Sequence, residues 1–509
     1  MNTRKSLFRA ALAGALATGL LPTAMSGTAS AQPPSVLQPF TTQIFIQNPN
    51  SAAATVVVQF YSEGTGVLQT PASNITLNPN GSTTVFVGSL FPSSFQGSAV
   101  ISADQPVVAA SMQVPSATTG YGHMMANAFT SAEASSAIFL STFLGDGNAT
   151  KSATLFGVQN TEAEPINIRA RFFNLAGAVV FTSNVALPAF ASKFFDGYNY
   201  TTTIAVTFPH AFDGSVVVTA TKQSNGQPAG IVGIAEERRF EPVDNTRFRA
   251  SAFEALPQSA AATTVYLPTA LCRFGTGLVT TFFAIQNTGS SPASVSVTYA
   301  AGAGTTPPVQ TNSSLAAFAK WSVNPCQGLS PSQDYSGAAV VQSTQPVVVV
   351  VKPSQTDPAF PFPRYVAAFN GQATGSRRVA FPLVRWSPSP GTDFRTNISI
   401  QNVGTAPINS GDLKVFYYSQ DGTLYNDCTS ILALPPGAKL NSNAVSAFFD
   451  AQFSCTFNPV DEGASTTFTG NAVVVGPVGA QLIAVARTSP PGVSAVSVHT
   501  EDFSGILLP

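Results

Sequence analysis

Charge is what this sequence has least of. Asp, Glu, Lys and Arg make up 9% of its 509 residues, against about 25% in an average soluble chain. The two signs nearly balance, 23 basic against 24 acidic, so there is no basic field for nucleic acid and no cationic face for anionic lipid. Tryptophan and histidine are scarce, with two and three copies. Catalytic signatures are absent: there is no Gly-x-Ser-x-Gly elbow, no His-Glu-x-x-His and no Gly-Lys-Ser/Thr phosphate loop. Past the N-terminal region no apolar run reaches the roughly 20 residues that a spanning helix needs. No stretch shows a convincing amphipathic helical period.

What is present begins with an export signal. Arg4, Lys5 and Arg9 precede an apolar stretch, and the small-residue site at Ala29–Ala31 predicts cleavage before Gln32. Without those three cations the mature chain holds 20 basic and 24 acidic residues, a net of −4. Four cysteines remain, and an even count in an exported chain predicts disulfides. Pairing Cys272 with Cys326 and Cys428 with Cys455 keeps each bridge inside one repeat. A zinc site is disfavoured, because there is no Cys-x-x-Cys and the histidines are scattered.

The repeat announces itself as an apolar run ending in Gln-Asn, at Asn48, Asn160, Asn287 and Asn402. These asparagines lie 112, 127 and 115 residues apart, the size of a small domain rather than of a solenoid repeat. After each comes an alternating strand, such as Ile166, Ile168, Ala170 and Phe172, then a turn of the kind "LNPNGS" at Leu77. A Gly-opened β-branched strand follows at Gly97, Gly214, Gly337 and Gly470. Three of the four copies then place Gln-Pro before a returning strand, which predicts a hairpin. Each asparagine suits a turn, since its side chain can bond the backbone two residues on. The glutamine before it has no equally firm assignment.

These features predict an all-β chain of four tandem Ig-like antiparallel β-sandwich domains after an N-terminal signal peptide. An apolar run between copies ("AIFLS", "TVYLP", "VAFPL") closes the preceding unit or opens the following one. The first choice is simpler and sets boundaries at 1–31 for the signal and 32–141, 142–268, 269–382 and 383–509 for the repeats. Under the second, Ile506, Leu507, Leu508 and Pro509 are a possible exchanged strand that completes another molecule.

The combination of "VYLP", "IQN" before an alternating strand, Leu-x-Pro-x-x-Ser and a Gly-opened strand running to "QPVVVVV" resembles a family of uncharacterised exported bacterial proteins built from tandem copies of this unit. That resemblance covers the mature chain and carries no catalytic residue. It implies a structural role at the cell surface or outside the cell.

Expected chemistry is correspondingly sparse: no catalytic, cofactor or metal site. "GDGNAT" at Gly145–Thr150 lacks the ligand series of a calcium loop. The charged run Glu236–Arg249 is expected to be a linker or an inter-domain ion-pair network. The leading expectation is a non-enzymatic, possibly self-assembling structural or adhesive protein, a rod of four sandwiches, secreted or at the bacterial cell surface. Its expected partners are further copies, other surface proteins or glycans, with no nucleic acid and no membrane insertion. A carbohydrate-binding array using Trp321 or Trp386 is the alternative, and an extracellular hydrolase centred on Glu236, Glu237 and Glu241 comes last.

Overall fold

The computed structural model describes residues 40–71, 74–91, 95–115, 123–145, 152–197, 212–240, 248–275, 278–355, 366–386, 395–443, 452–457, 468–489 and 501–509. The expected leader lies outside them, as do His210, His499, most of Gly145–Thr150 and the middle of Glu236–Arg249. Nearly everything described is antiparallel strand. Alternation is the local cause. In Ile166–Asn174 the residues Ile166, Ile168, Ala170 and Phe172 are buried while Asn167 and Arg169 are exposed, which gives the strand one core face and one wet face.

The strand pairings repeat one eight-strand plan, complete in residues 137–257, 262–370 and 378–508; in 40–127 its first strand is not among the described residues. Unit 2 shows the plan in full. Its first strand, Ala137–Leu144, pairs with the sixth, Asp213–Lys222, and the sixth pairs with the third, Ile166–Asn174. The fourth, Val179–Leu187, flanks the third. In the facing sheet the second strand, Ser152–Asn160, pairs with the fifth, Ser192–Asp196, and with the seventh, Ile231–Phe240. The eighth, Phe248–Pro257, flanks the seventh. In unit 3 the single strand Tyr335–Gln355 supplies both the sixth and seventh positions.

This is a β-sandwich with the central Greek-key pairs of an immunoglobulin domain, second with fifth and third with sixth. Its edges are exchanged. An immunoglobulin domain sets the first strand beside the second and the seventh beside the sixth. Here the first lies beside the sixth and the seventh beside the second. In unit 2 the segment closes a short hairpin end at Thr221 and Pro228, but in unit 1 the Gln-Pro turn joins strands of different sheets. Gly97–Ala103 pairs with Ala54–Ser62, whereas Val108–Pro115 crosses to the other sheet and pairs with Phe40–Gln47.

The unit boundaries also differ from the expected ones. The runs Ala137–Leu144, Ala262–Cys272 and Arg378–Trp386 pair with the sixth strands that follow them. They open the next unit rather than close the previous one. Boundaries at 141, 268 and 382 would cut through these strands, and the connectors before 137, 262 and 378 are the true joints. Ile506–Leu508 lies on the outer edge of Arg378–Trp386 in its own unit.

The four Gln-Asn asparagines are buried clamps. Asn48 Nδ2 donates to Ala52 O at 2.7 Å and Asn78 O at 3.0 Å, and Asn50 N donates to Asn48 Oδ1. Asn160, Asn287 and Asn402 repeat this, each holding the turn after the second strand against the turn before the fifth.

The units do not extend as a rod; they close on themselves. The residue after the Gly of a sixth strand donates to a turn carbonyl in the next unit: Ser98 Oγ to Phe190 O at 3.2 Å and Ser215 Oγ to Phe318 O at 2.5 Å. Asn471, at the same position in unit 4, donates to Asn80 O of unit 1 at 3.0 Å. The contact that joins consecutive units thus joins the last to the first. Two of the unassigned glutamines act here, while Gln401 donates to Gly437 O of its own unit at 3.0 Å. Gln286 donates to Val216 O, and Gln47 donates to Asn471 Oδ1 and, more weakly, to Ala472 O. Each reaches the sixth strand of the unit before it in the ring.

Two outcomes follow for solution experiments. Small-angle scattering of the mature protein should give a radius of gyration near the ~23 Å of a compact chain of this length, not the roughly 40 Å of four sandwiches end to end. Asn287→Ala should lower unfolding free energy by about 2–4 kcal/mol in urea titrations, because several buried backbone groups lose their partner together.

Candidate functional site

The eighth strands bring one polar residue each to the centre of the ring, and these form a closed hydrogen-bonded cycle. Asn127 N of unit 1 donates to Glu254 Oε1 of unit 2 at 2.5 Å. Asn370 Nδ2 of unit 3 donates to Glu254 Oε2 at 2.7 Å and to Glu254 O at 2.9 Å. Ser504 Oγ of unit 4 donates to Asn370 O at 3.1 Å, and Asn127 Nδ2 returns to Ser504 O at 2.8 Å. Burial pushes the Glu254 carboxyl up to about 7, against the pull of its hydrogen bonds from Asn127 and Asn370, and Glu133 adds to the rise.

The charged run around Glu236 is a second inter-unit device. Glu236 and Arg238, both on Ile231–Phe240, form a buried ion pair at 2.8 Å. Burial pushes the Glu236 carboxyl upward, and Arg238 opposes it, with Gln113 of unit 1 bonding the same group. The Arg238 guanidinium lies 4.8 Å from the centre of the Phe40 ring, also in unit 1. On the other side, Glu237 pairs with Lys352 of unit 3 at 2.9 Å. Lys320 of unit 3 reaches into unit 2, where it pairs with Asp213 and donates to Thr142 Oγ1. The run is an ion-pair network between units, and Glu241 lies outside the described residues. Sealed in this way, Glu236 is not placed to act on an external glycan.

The other candidates also face inward. Trp321 and Trp386 are half-buried and pack against the cores of units 3 and 4. Cys272 and Cys326 are bonded at 2.08 Å, and Cys428 and Cys455 at 1.99 Å. The second bridge joins directly opposed residues of Leu424–Ser430 and Phe453–Phe457 and so fixes the latter over the edge of unit 4. Loops of 54 and 27 residues give stabilisation of about 4 kcal/mol each. Among the described residues no group of three or more His, Cys, Asp or Glu is arranged to hold a metal ion. Sequence reasoning missed the axial cycle entirely. Its only trace is a polar residue directly after Phe253, Phe369 and Phe503; in unit 1 Asn127 instead precedes Phe129 by two residues.

No protein-family model matches the chain, and no curated protein matches it in sequence. Among solved structures it is similar to a tetra-tandem repeat in the extending region of a large adhesion protein, at 11% identity over 90% of this chain and 92% of that one. The TM-score is 0.11, at which two chains do not superpose as wholes.

Glu254 makes stability depend on pH. Its carboxyl is held neutral in the fold up to about 7, against the ordinary 4.5 of a glutamate. Its contribution is therefore complete below about pH 4.5 and is lost as pH rises through 7, by about 3 kcal/mol. Urea midpoints at pH 5 and pH 8 should differ accordingly in the native protein, and Glu254→Gln should remove that component.

Proposed function

We propose that this is a non-enzymatic, exported structural or adhesive protein of the bacterial cell surface or extracellular matrix, whose closed ring associates through its outer strand edges. One observation carries the proposal: the fourth strands. Val179–Leu187 pairs on one side only among the described residues, and Val179 and Val180 at its start are 48% and 37% exposed. Val67 and Leu68 mark the same place in unit 1, and Val309 marks it in unit 3. An exposed strand edge with apolar residues is a template for pairing with another chain. Unit 4 differs, because Phe453–Phe457 covers its edge and the Cys428–Cys455 bridge holds it there. The low charge supports the same reading, since such surfaces repel one another weakly. The leader-like N-terminus and two disulfides suit an oxidising exterior. No observation favours the carbohydrate-binding or hydrolytic alternatives over this one.

Sedimentation velocity with electron microscopy tests it. The native protein should form concentration-dependent assemblies of compact rings, and the triple variant Leu68→Lys, Val180→Lys, Val309→Lys should stay as single rings with unchanged melting. Assembly unaffected by the three lysines, or single rings at every concentration together with saturable binding on a glycan array, would replace this reading with the carbohydrate-binding one.

A further inference from the structure

Unit 1 is the one unit whose sixth strand has no first strand beside it among the described residues. In units 2, 3 and 4 the fifth residue of the Gly-opened strand, Val218, Val341 and Val474, pairs with Ile138, Val265 and Val379 respectively. The equivalent in unit 1 is Ile101, and Gly97–Ala103 pairs on one side only, with Ala54–Ser62. A cavity of about 230 Å³ lies where the missing strand would run. Ile101, Val107, Ala109 and Phe129 of unit 1 line it together with Leu508 and Pro509 of unit 4. The lining is almost wholly apolar.

The chain near this slot is poorly suited to fill it. First and second strands are separated by residues 145–151, 273–278 and 387–394 in the other units. The same spacing before Phe40 ends a first strand at about residue 32 and begins it near residue 25. That stretch reads "MSGTASAQ", with Met25 its single large apolar residue, and Pro33, Pro34 and Pro39 interrupt the rest. Proline cannot donate to a ladder. The expected cleavage before Gln32 would remove most of the stretch as well.

We propose that unit 1 is a strand acceptor, and that its slot takes an extended segment of another polypeptide running antiparallel to Gly97–Ala103. The filled slots define the segment. Ile138 and Leu140, Val265 and Leu267, and Val379 and Phe381 are buried pairs two residues apart, so the ligand is an apolar-x-apolar strand. Two such side chains enter the cavity, and main-chain hydrogen bonds to the free edge of Gly97–Ala103 supply the rest, which is the logic of β-strand addition. This site lies at the seam between units 4 and 1, apart from the outer edges proposed for assembly.

The test uses the full mature protein and a fluorescent peptide with the sequence of residues 262–271, followed by anisotropy and amide hydrogen exchange. Saturable binding is expected, at least tenfold weaker for a peptide in which the positions of Val265 and Leu267 carry Asp. Amides of Gly97–Ala103 that face away from Ala54–Ser62 should exchange quickly in the free protein and become protected on binding, while those of Asp213–Lys222 stay protected throughout. Ala109→Trp should block the slot and abolish binding; if that variant does not fold, the exchange result on the native protein decides. Absence of binding at about 1 mM peptide, a weak limit of specific affinity, would overturn the proposal. So would free-protein protection of Gly97–Ala103 equal to that of Asp213–Lys222, which would mean that the chain's own N-terminal segment, with Val36 and Leu37, already fills the slot.

Discussion

The ring depends on one repeated contact, a side chain on the sixth strand donating to a turn carbonyl of the next unit. The accepting residue has a left-handed backbone in each seam where the bond forms: Asn80, Phe190 and Phe318 have φ of 58°, 60° and 61°. For phenylalanine this conformation costs of order 1–3 kcal/mol, so it persists only where the surroundings require it. Here the same turn presents the ring to the neighbour. Phe190 packs on Tyr61 and Phe318 on Phe173, each with centroids 5.0 Å apart. The strain, the aromatic contact and the hydrogen bond are one structural decision. The fourth turn has Gly437 at this place, with φ 77° and no strain, and its neighbour carries Ala338 where the others carry a donor.

Closure turns polar surface into interior. Glu254, Asn370 and Ser504 would be solvated in separated sandwiches and are buried together at the axis. Burying such groups is costly unless each finds partners, and the cycle supplies them only when all four units are present. The Glu236–Arg238 pair behaves likewise, since removing one partner of a buried ion pair costs several kcal/mol while replacing both by apolar residues can be nearly neutral. These groups therefore select one arrangement of the units more than they add to its stability. A chain with 9% charged residues has placed several of its charges at unit contacts, which leaves its outer surface correspondingly bland and suited to close packing.

Much of the fold was legible from periodicity. Alternation at Ile166–Phe172 and the β-branched Gly-opened runs specify strands whatever their partners, and the recurrence of Gln-Asn marks the repeat. The asparagine's turn role follows from its own short side chain, which bonds the backbone two residues on within the same segment. Partner choice was not legible. Whether Ala137–Leu144 closes one sandwich or opens the next depends on which edge has free N–H and C=O groups, and an apolar run satisfies both equally. The Gln-Pro turn misled for a similar reason: a turn between two strands does not reveal that they belong to different sheets.

The sequence by itself determined the strands, the fourfold repeat and the turn at each Gln-Asn, because all of these are local or follow from spacing. Only the tertiary structure decided that the repeats close into a ring, that Gln47 and Gln286 reach neighbouring units, and that Glu254 meets Asn127, Asn370 and Ser504. These contacts join residues at least 70 positions apart. No periodicity encodes them, since each depends on the angle at which one packed sandwich meets the next.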